Sequence, residues 1–284
     1  MKQIHIAGNL LKSLMLAGLL TACNNDQTIV PAETAGVERN EQNTKLSSLL
    51  RLIDDNGTSI QYIKSGKFLG KTSKAIAIND RYEYTYDDNN PAGDLWITRK
   101  KYAKSNNALL GQVKYKISNG VCISSEDNVA GDYFEYKYTA QGYLDEIKFS
   151  HNGVYKNLYK YSYNFNNATG VYRLTKITLQ NAQSATLFEQ TFAYTANADN
   201  YPTPAKREHI DKYLPFFGKL CDVLPQKVSL QWVDPNALDS EQEFTYTVDG
   251  NGLVSTKVTQ LSTNNTPSGS ITETFKYSAN WQGI

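Results

Sequence analysis

The fold of this chain is decided by residues 243–258, which read EFTYTVDGNGLVSTKV. Phe244, Tyr246 and Val248 alternate with polar residues, and this period of two places them on one face of a β-strand. The DGNG sequence at 249–252 predicts a tight turn, because glycine and asparagine adopt positive φ at little cost. The residues after the turn continue as a second strand, so the stretch predicts an antiparallel hairpin.

Variants of this hairpin recur from residue 81 to the C terminus. Each unit has an aromatic-x-Tyr strand, a glycine or asparagine turn and a return strand of the Leu-x-x-Ile or Val type. The last tyrosines of the six units are Tyr86, Tyr138, Tyr163, Tyr194, Tyr246 and Tyr277. They are separated by 52, 25, 31, 52 and 31 residues, so the two long gaps predict an extra hairpin or an insertion. The final unit has no return strand after it.

The two faces of the predicted strands differ in polarity. Side chains opposite the tyrosines are polar, as at Lys137 and Lys160, so that face belongs in water. The tyrosine face then fills the inside of a curled sheet, where each hydroxyl needs a partner. In the return strands, Leu144 and Ile147 are three positions apart, and an ideal strand would place them on opposite faces. A β-bulge or burial on both faces would reconcile them.

The chain of 284 residues is rich in tyrosine (20) and glycine (18), which favours strands and turns. The predicted fold class is all-β, an antiparallel meander of repeated hairpins curled into a barrel-like, soluble sheet. Residues 44–284 form a single β-repeat domain. A short N-terminal helix is predicted over 44–53, because its leucines and isoleucine recur at helical spacing. A helical or irregular insertion near 202–224 is predicted to cover one opening or edge of the sheet.

The N terminus predicts export and lipidation. Lys2 and Lys12 precede a short apolar run at 14–20, and the sequence LTAC follows at 20–23. This resembles the lipobox of bacterial lipoproteins, with a signal peptide over 1–22 and lipid attachment at Cys23. Several acyl chains on one cysteine would anchor the protein durably. An ordinary secretory signal is the alternative, and the polar residues 23–43 are predicted to form a flexible tether.

The hairpin units resemble, in degenerate form, the YD-type repeats of bacterial surface proteins. Together with the lipobox and the LPFFG insertion at 214–218, the chain is similar to a family of Bacteroides-type lipoproteins of unknown function. The resemblance implies a porin-like fold and lipid anchoring in the outer membrane. It leaves the cell surface and the periplasmic face undecided, and it brings no catalytic residues.

The composition offers no evidence for nucleic-acid binding. Without the two lysines of the leader, 27 basic residues balance 28 acidic residues. The basic run at 99–101 is interpreted as a solvated strand edge, and His151 and His209 as surface residues. No zinc spacing, nucleophile elbow or phosphate-binding loop appears, so no catalytic residue, metal ligand or cofactor is assigned. Cys122 and Cys221 are interpreted as separate small hydrophobic residues, with a single bridge as the alternative.

Three functions remain open at this point. The favoured one is a lipid-anchored, non-enzymatic binding or structural protein of the bacterial envelope, with the membrane as partner through Cys23 and a glycan or protein as ligand. A glycan-binding surface module is the first alternative, with stacking on Trp96, Trp232 and Trp281. It requires at least two of these rings exposed on one concave surface. A hydrolase acting on envelope or dietary polymers is the second, and it requires a pocket where carboxylates or a histidine converge.

Overall fold

The computed structural model describes residues 50–89, 93–167, 170–194, 209–219 and 223–283. These residues form sixteen β-strands and one short 3-10 helix, Trp281–Gly283. The strands are β1 (Arg51–Asp55), β2 (Thr58–Tyr62), β3 (Thr72–Ile76), β4 (Asp80–Asp87), β5 (Leu95–Ala103), β6 (Leu109–Ser118), β7 (Val121–Asp127), β8 (Asp132–Tyr138), β9 (Leu144–His151), β10 (Val154–Asn166), β11 (Val171–Asn181), β12 (Thr186–Ala193), β13 (Lys227–Trp232), β14 (Ser240–Val248), β15 (Val254–Thr263) and β16 (Thr266–Ser278). In these parts of the chain, none of the helical structure is long and apolar enough to cross a membrane.

The sheet is an antiparallel meander that closes on itself. Each strand pairs with its neighbours in sequence, and β16 pairs with β1, so that Arg51 lies opposite Ser278 and Asp55 opposite Phe275. The predicted all-β meander is confirmed, and the barrel is closed. β1 also supplies the return strand that the final sequence unit lacks.

The two long gaps between repeats have different contents. The first holds the hairpin of β6 and β7, and the second holds the connection between β12 and β13. We call the end of the barrel at which the odd-numbered strands begin the plug end, because this connection starts and finishes there. We call the opposite end, where the odd-numbered strands finish in hairpin turns, the hairpin end.

A β-bulge recurs near the start of the return strands. In the β8–β9 ladder, Lys137 lies opposite Glu146 and Tyr138 opposite Leu144, which leaves one extra residue in β9. Leu144 and Ile147 therefore both point into the barrel, and both are fully buried. Equivalent shifts occur in the β6–β7, β10–β11 and β14–β15 ladders. The predicted bulge is confirmed.

The aromatic face fills the barrel interior, as predicted. The buried rings of the wall are Tyr84, Tyr115, Tyr136, Tyr159, Tyr161, Phe188, Phe192, Phe244 and Phe275. The outer face instead carries ion pairs between neighbouring strands, such as Lys137–Glu146 at 2.8 Å and Lys176–Glu189 at 2.9 Å. These charges interrupt the continuous apolar band, about 25 Å tall, that a bilayer-spanning barrel presents to lipid. The described outer wall therefore carries charged pairs on β8, β9, β11 and β12.

The repeated tyrosines form a ring of hydrogen bonds at the plug end. Each hydroxyl donates to a backbone carbonyl near the start of an odd-numbered strand or just before it. The bonds are Tyr62 to Leu52 (2.6 Å), Tyr86 to Thr72 (2.8 Å), Tyr138 to Cys122 (2.6 Å), Tyr163 to Leu144 (2.7 Å), Tyr194 to Leu174 (2.8 Å) and Tyr246 to Pro225 (2.8 Å). Phenylalanine fills the same volume but cannot donate, which accounts for tyrosine at the last aromatic position of the five units that end at Tyr86, Tyr138, Tyr163, Tyr194 and Tyr246.

We expect Tyr163→Phe to lower the free energy of unfolding by about 1 kcal/mol, because the Leu144 carbonyl loses its donor. Urea denaturation measures this change. Tyr133→Phe is the matched control, because Tyr133 is exposed, and we expect less than about 0.5 kcal/mol there. Equal losses in the two variants would contradict a role for the tyrosine ring.

Two predicted elements differ in part from the structure. Most of the predicted N-terminal helix lies outside the described residues, but its last part is wrong, because residues 51–53 belong to β1. There the closing ladder with β16 supplies the backbone hydrogen bonds and overrides the helical spacing of the leucines. The described part of the insertion is irregular, in agreement with the prediction, but it lies inside the barrel instead of covering an edge.

Candidate functional site

The barrel lumen is occupied by residues 209–219, which we call the plug. Its apolar side chains Leu214, Phe216 and Phe217 are buried in the same cluster as the inward-facing rings of the wall. The Phe217 ring packs edge-on against Tyr136, with 5.1 Å between ring centroids. The apolar LPFFG sequence thus enters the lumen because the wall offers it an aromatic lining.

Backbone hydrogen bonds fix the last part of the plug to the wall. Lys219 donates from its backbone nitrogen to the Gly142 carbonyl at 2.8 Å, and its own carbonyl accepts from the Leu144 nitrogen at 2.9 Å. The Phe216 carbonyl accepts from the Cys122 nitrogen at 2.5 Å. The plug is therefore paired with the starts of β7 and β9.

Gly218 is the closest approach between plug and wall. Its φ is +65°, and a Cβ at this position would lie 2.6 Å from the Gly142 carbonyl oxygen and 2.7 Å from the Tyr138 ring. We expect Gly218→Ala to lower the free energy of unfolding by about 2 kcal/mol, through strain and displacement of the plug. Thermal unfolding measures it. Gly250→Ala is the control, because no atom lies within 4 Å of the place that a methyl group would take there, and a loss of equal size would contradict the close fit.

Asp211 is the centre of the plug's polar contacts. Its carboxylate accepts hydrogen bonds from the Tyr84 hydroxyl at 3.2 Å and from the Tyr115 hydroxyl at 3.3 Å. Arg99 lies 3.0 Å from the same carboxylate. Asp211 is 5% exposed, so this is a buried charge with a cationic partner and neutral donors. Burial, reinforced by the Asp211 charge, raises the pKa of both phenols well above the usual value, so they stay protonated donors.

A second contact joins the plug to β1. Asp55 is buried, accepts a hydrogen bond from the Tyr213 hydroxyl at 2.9 Å and forms an ion pair with Lys212. The adjacent plug residues 211, 212 and 213 thus bind different strands of the barrel wall. Asp211 is held by β4, β5 and β6, whereas Lys212 and Tyr213 are held by β1.

Lys257 forms the third charged contact, within the wall itself. It is 1% exposed and forms an ion pair with Glu273 of β16. Burial lowers the pKa of Lys257 to about 8, although the Glu273 charge opposes that shift. The β14–β15 bulge turns Val254 and Lys257 inward together. In the equivalent return strands β9, β11 and β7, the inward residues at the Lys257 position are Ile147, Ile177 and Ser125.

His209 lies at the deep end of the plug. Its ring stacks on Phe134 with 4.4 Å between centroids, and its Nε2 lies 3.1 Å from the Tyr159 hydroxyl. The surrounding protein lowers the pKa of His209 to about 4, because burial disfavours the imidazolium, even though the residue keeps contact with solvent. The residue is exposed to solvent, in agreement with its prediction as a surface residue, although its ring also packs against Phe134 and Tyr159 of the wall.

A cleft opens at the plug end beside the plug. It has an empty volume of about 350 Å³ open to solvent and is lined by Arg51, Tyr62, Leu69, Gly70, Lys71, Thr72, Tyr213 and Pro215. The Arg51 guanidinium lies over the rings of Tyr62 (5.3 Å) and Trp281 (4.8 Å). Among the described residues, no group of three histidine, cysteine or acidic side chains converges to hold a metal ion.

The chain is similar in structure to porin-like proteins, although no family model and no curated protein matches it. A porin-like protein from Bacteroides uniformis ATCC 8492 has 15% identity, coverage of 80% of this chain and 97% of that chain, and a TM-score of 0.39. A porin-like protein from Bacteroides vulgatus ATCC 8482 has 13% identity, coverage of 80% and 98%, and a TM-score of 0.48. Likeness at this level carries no argument about activity.

The three tryptophans are not brought together. Trp96 is 37% exposed on β5, with the Lys116 ammonium 5.9 Å from its ring. Trp232, on β13 at the opposite side of the barrel, packs against Phe188 with 5.1 Å between centroids. Trp281 lies in the 3-10 helix against Tyr62 and Arg51. The described residues therefore contain no shared tryptophan surface of the kind that the glycan-binding alternative requires, and ligand stacking stays a prediction.

The predicted lipid site lies outside the described residues, as does Cys221, whereas Cys122 is a free, buried thiol.

Sequence reasoning missed the charged contacts of the lumen. The interpretation of Arg99 as part of a solvated strand edge is wrong, since its side chain pairs with Asp211. A signal for Lys257 does exist in the sequence. When the return strands are aligned, lysine stands where Ile147 and Ile177 stand in other units.

Proposed function

We propose that this chain is a lipid-anchored, non-enzymatic binding or structural protein of the bacterial outer membrane, acylated on Cys23. The leader and its LTAC sequence support the anchor. The charged outer wall supports a barrel held at the membrane by its lipid instead of by insertion of its strands. Protease accessibility on intact cells distinguishes the cell surface from the periplasmic face.

The observation that carries the proposal is the occupied lumen. A barrel that conducts or processes a solute needs open space with accessible polar groups inside. Here the buried carboxylates of Asp55, Asp211 and Glu273 each face a cation of the same chain. Two of these pairs join the plug to the wall and the third joins β15 to β16, which is a structural task.

The anchor is tested by labelling cells with radioactive palmitate. We expect the wild-type protein to be labelled and the Cys23→Ala protein to carry no label. Cys122→Ala is the matched control and is expected to be labelled like the wild type, because Cys122 is buried in the barrel. Undiminished labelling of Cys23→Ala would contradict the anchor.

The non-enzymatic part is tested by turnover on a panel of glycans and peptides. We expect no product from the wild-type protein. Turnover that disappears in Asp211→Asn or Glu273→Gln, in variants that remain folded by circular dichroism, would instead identify a hydrolase with its carboxylates in the lumen.

A further inference from the structure

The hairpin end of the barrel presents exposed apolar side chains at five of its eight turns, a set that we call the hairpin rim. Among the described residues, eight of the twelve exposed large hydrophobic residues lie in or beside its turns. They are Ile78, Leu109, Leu110, Val129, Tyr133, Val154, Val233 and Leu238. Val129 and Ile78 are the most open, at 73% and 81% exposure. What distinguishes these residues from singly scattered apolar side chains is their concentration at one end of the barrel.

The plug end has a different character. Its described turns are polar, such as Asn119–Gly120 between β6 and β7 and the DGNG sequence at 249–252 between β14 and β15. Of the exposed large hydrophobic residues, only Leu69, Trp96 and Phe165 lie in or beside the described turns of that end. The apolar exposure is thus concentrated at one end of the barrel.

Two acidic groups of the hairpin rim, Asp127 and Asp132, are engaged by nearby groups of the same rim. Asp127 Oδ1 accepts hydrogen bonds from the backbone nitrogens of Val129 and Ala130, both at 3.0 Å. Asp132 is paired with His151, with 2.8 Å between the carboxylate and Nδ1. Because these carboxylates already have partners, the apolar tips approach a low-dielectric surface at reduced desolvation cost.

We propose that the hairpin rim docks on the surface of a lipid bilayer. The tips are carried by five separate turns at one mouth of a closed barrel, so they do not form one groove. A protein partner of ordinary size needs a contiguous patch of about 800 Å² on each side. A bilayer interface needs only that each apolar tip enter the headgroup region, by about 5–10 Å. The docking rests on the proposed function, because the Cys23 anchor brings the barrel to a bilayer.

The length of the tether permits this orientation. The chain joins the barrel at Arg51, at the plug end, and 27 residues separate it from Cys23. Fully extended, they span at most about 90 Å. The longest strands have 13 residues, or about 43 Å before any tilt. The tether is therefore long enough for Cys23 to reach the bilayer even when the hairpin end of the barrel rests on that bilayer.

The test uses the lipidated protein in phosphatidylcholine vesicles that contain brominated acyl chains. Val129→Trp places a fluorophore on the hairpin rim, and Gln141→Trp places one on an exposed turn of the plug end as the matched control. The wild-type protein contains three tryptophans, so its emission is subtracted from the emission of each variant. We expect bromine to reduce the Val129→Trp signal at least about twofold and to leave the Gln141→Trp signal unchanged.

Flotation of the vesicles separates the two ideas. If Cys23→Ala protein floats like the wild type, the anchor fails, while quenching at Val129→Trp still supports the rim. If the protein floats through Cys23 but Val129→Trp is not quenched, or both reporters are quenched equally, the rim proposal is overturned. A blue-shifted but unquenched Val129→Trp signal that depends on protein concentration would assign the rim to a second copy of the chain, and would also overturn it.

Discussion

Replacing Asp211 with alanine is expected to lower the free energy of unfolding by about 3 kcal/mol. The substitution leaves Arg99 without its partner in the lumen and removes the acceptor of the Tyr84 and Tyr115 hydroxyls. Breaking a buried pair from one side costs more than the pair contributes, because the remaining charge keeps its desolvation penalty. Urea denaturation followed by circular dichroism measures the change.

Two further variants give this prediction its control. Glu243→Ala removes an exposed carboxylate that lies 3.7 Å from Lys227, and we expect a change of less than about 0.5 kcal/mol. The double variant Asp211→Leu with Arg99→Met removes both charges, and we expect it to recover most of the loss. An Asp211→Ala protein as stable as the wild type would show that the plug is not held through this carboxylate.

Replacing Lys257 with isoleucine is the second large effect that we expect, a loss of about 3 kcal/mol. Isoleucine is the residue that the return strands β9 and β11 place at this inward position, so size and strand propensity favour the change. The loss arises because Glu273, with 13% of its side chain exposed, keeps its charge without the Lys257 ammonium.

The partner substitution separates charge from packing. We expect Lys257→Ile with Glu273→Leu to be at least as stable as the wild type, because an apolar pair replaces a buried ion pair without desolvation cost. Lys276→Ile, on the exposed face of β16, is the control, with an expected change of less than about 0.5 kcal/mol. A single Lys257→Ile variant with undiminished stability would contradict a structural role for the pair.

Much of the wall could be predicted because it depends on local pattern. The alternation at Phe244 and Tyr246 fixes which face is inside, and the spacing of Leu144 and Ile147 indicates a bulge. Closure could not be predicted, since it depends on a ladder between Arg51 and Ser278, at opposite ends of the domain. Such long-range pairing leaves no signal in local periodicity.

The charged contacts of the lumen were harder to predict for a related reason. Asp211 lies in an irregular segment without periodicity, so nothing local indicates which wall residue it meets. Arg99 stands beside other cations, and charge runs usually face solvent. Successive side chains of a strand point to opposite faces, so Arg99 and Lys100 cannot both face solvent. This alternation could have placed Arg99 inside the barrel. Lys257 was detectable by aligning the repeats, because the alignment places a lysine at an inward position. A buried lysine needs a partner such as Glu273, and the sequence does not indicate which residue that partner is.

Hydrogen exchange of the plug tests most directly whether the lumen is filled by the chain itself. The amide of Lys219 is bonded to Gly142, and the amide of Leu144 is bonded to Lys219. We expect peptides covering 209–219 to exchange at least about 100-fold more slowly than the exposed turn at 234–236, and close to the rate of β9. Exchange of 209–219 as fast as that turn would contradict a plugged barrel.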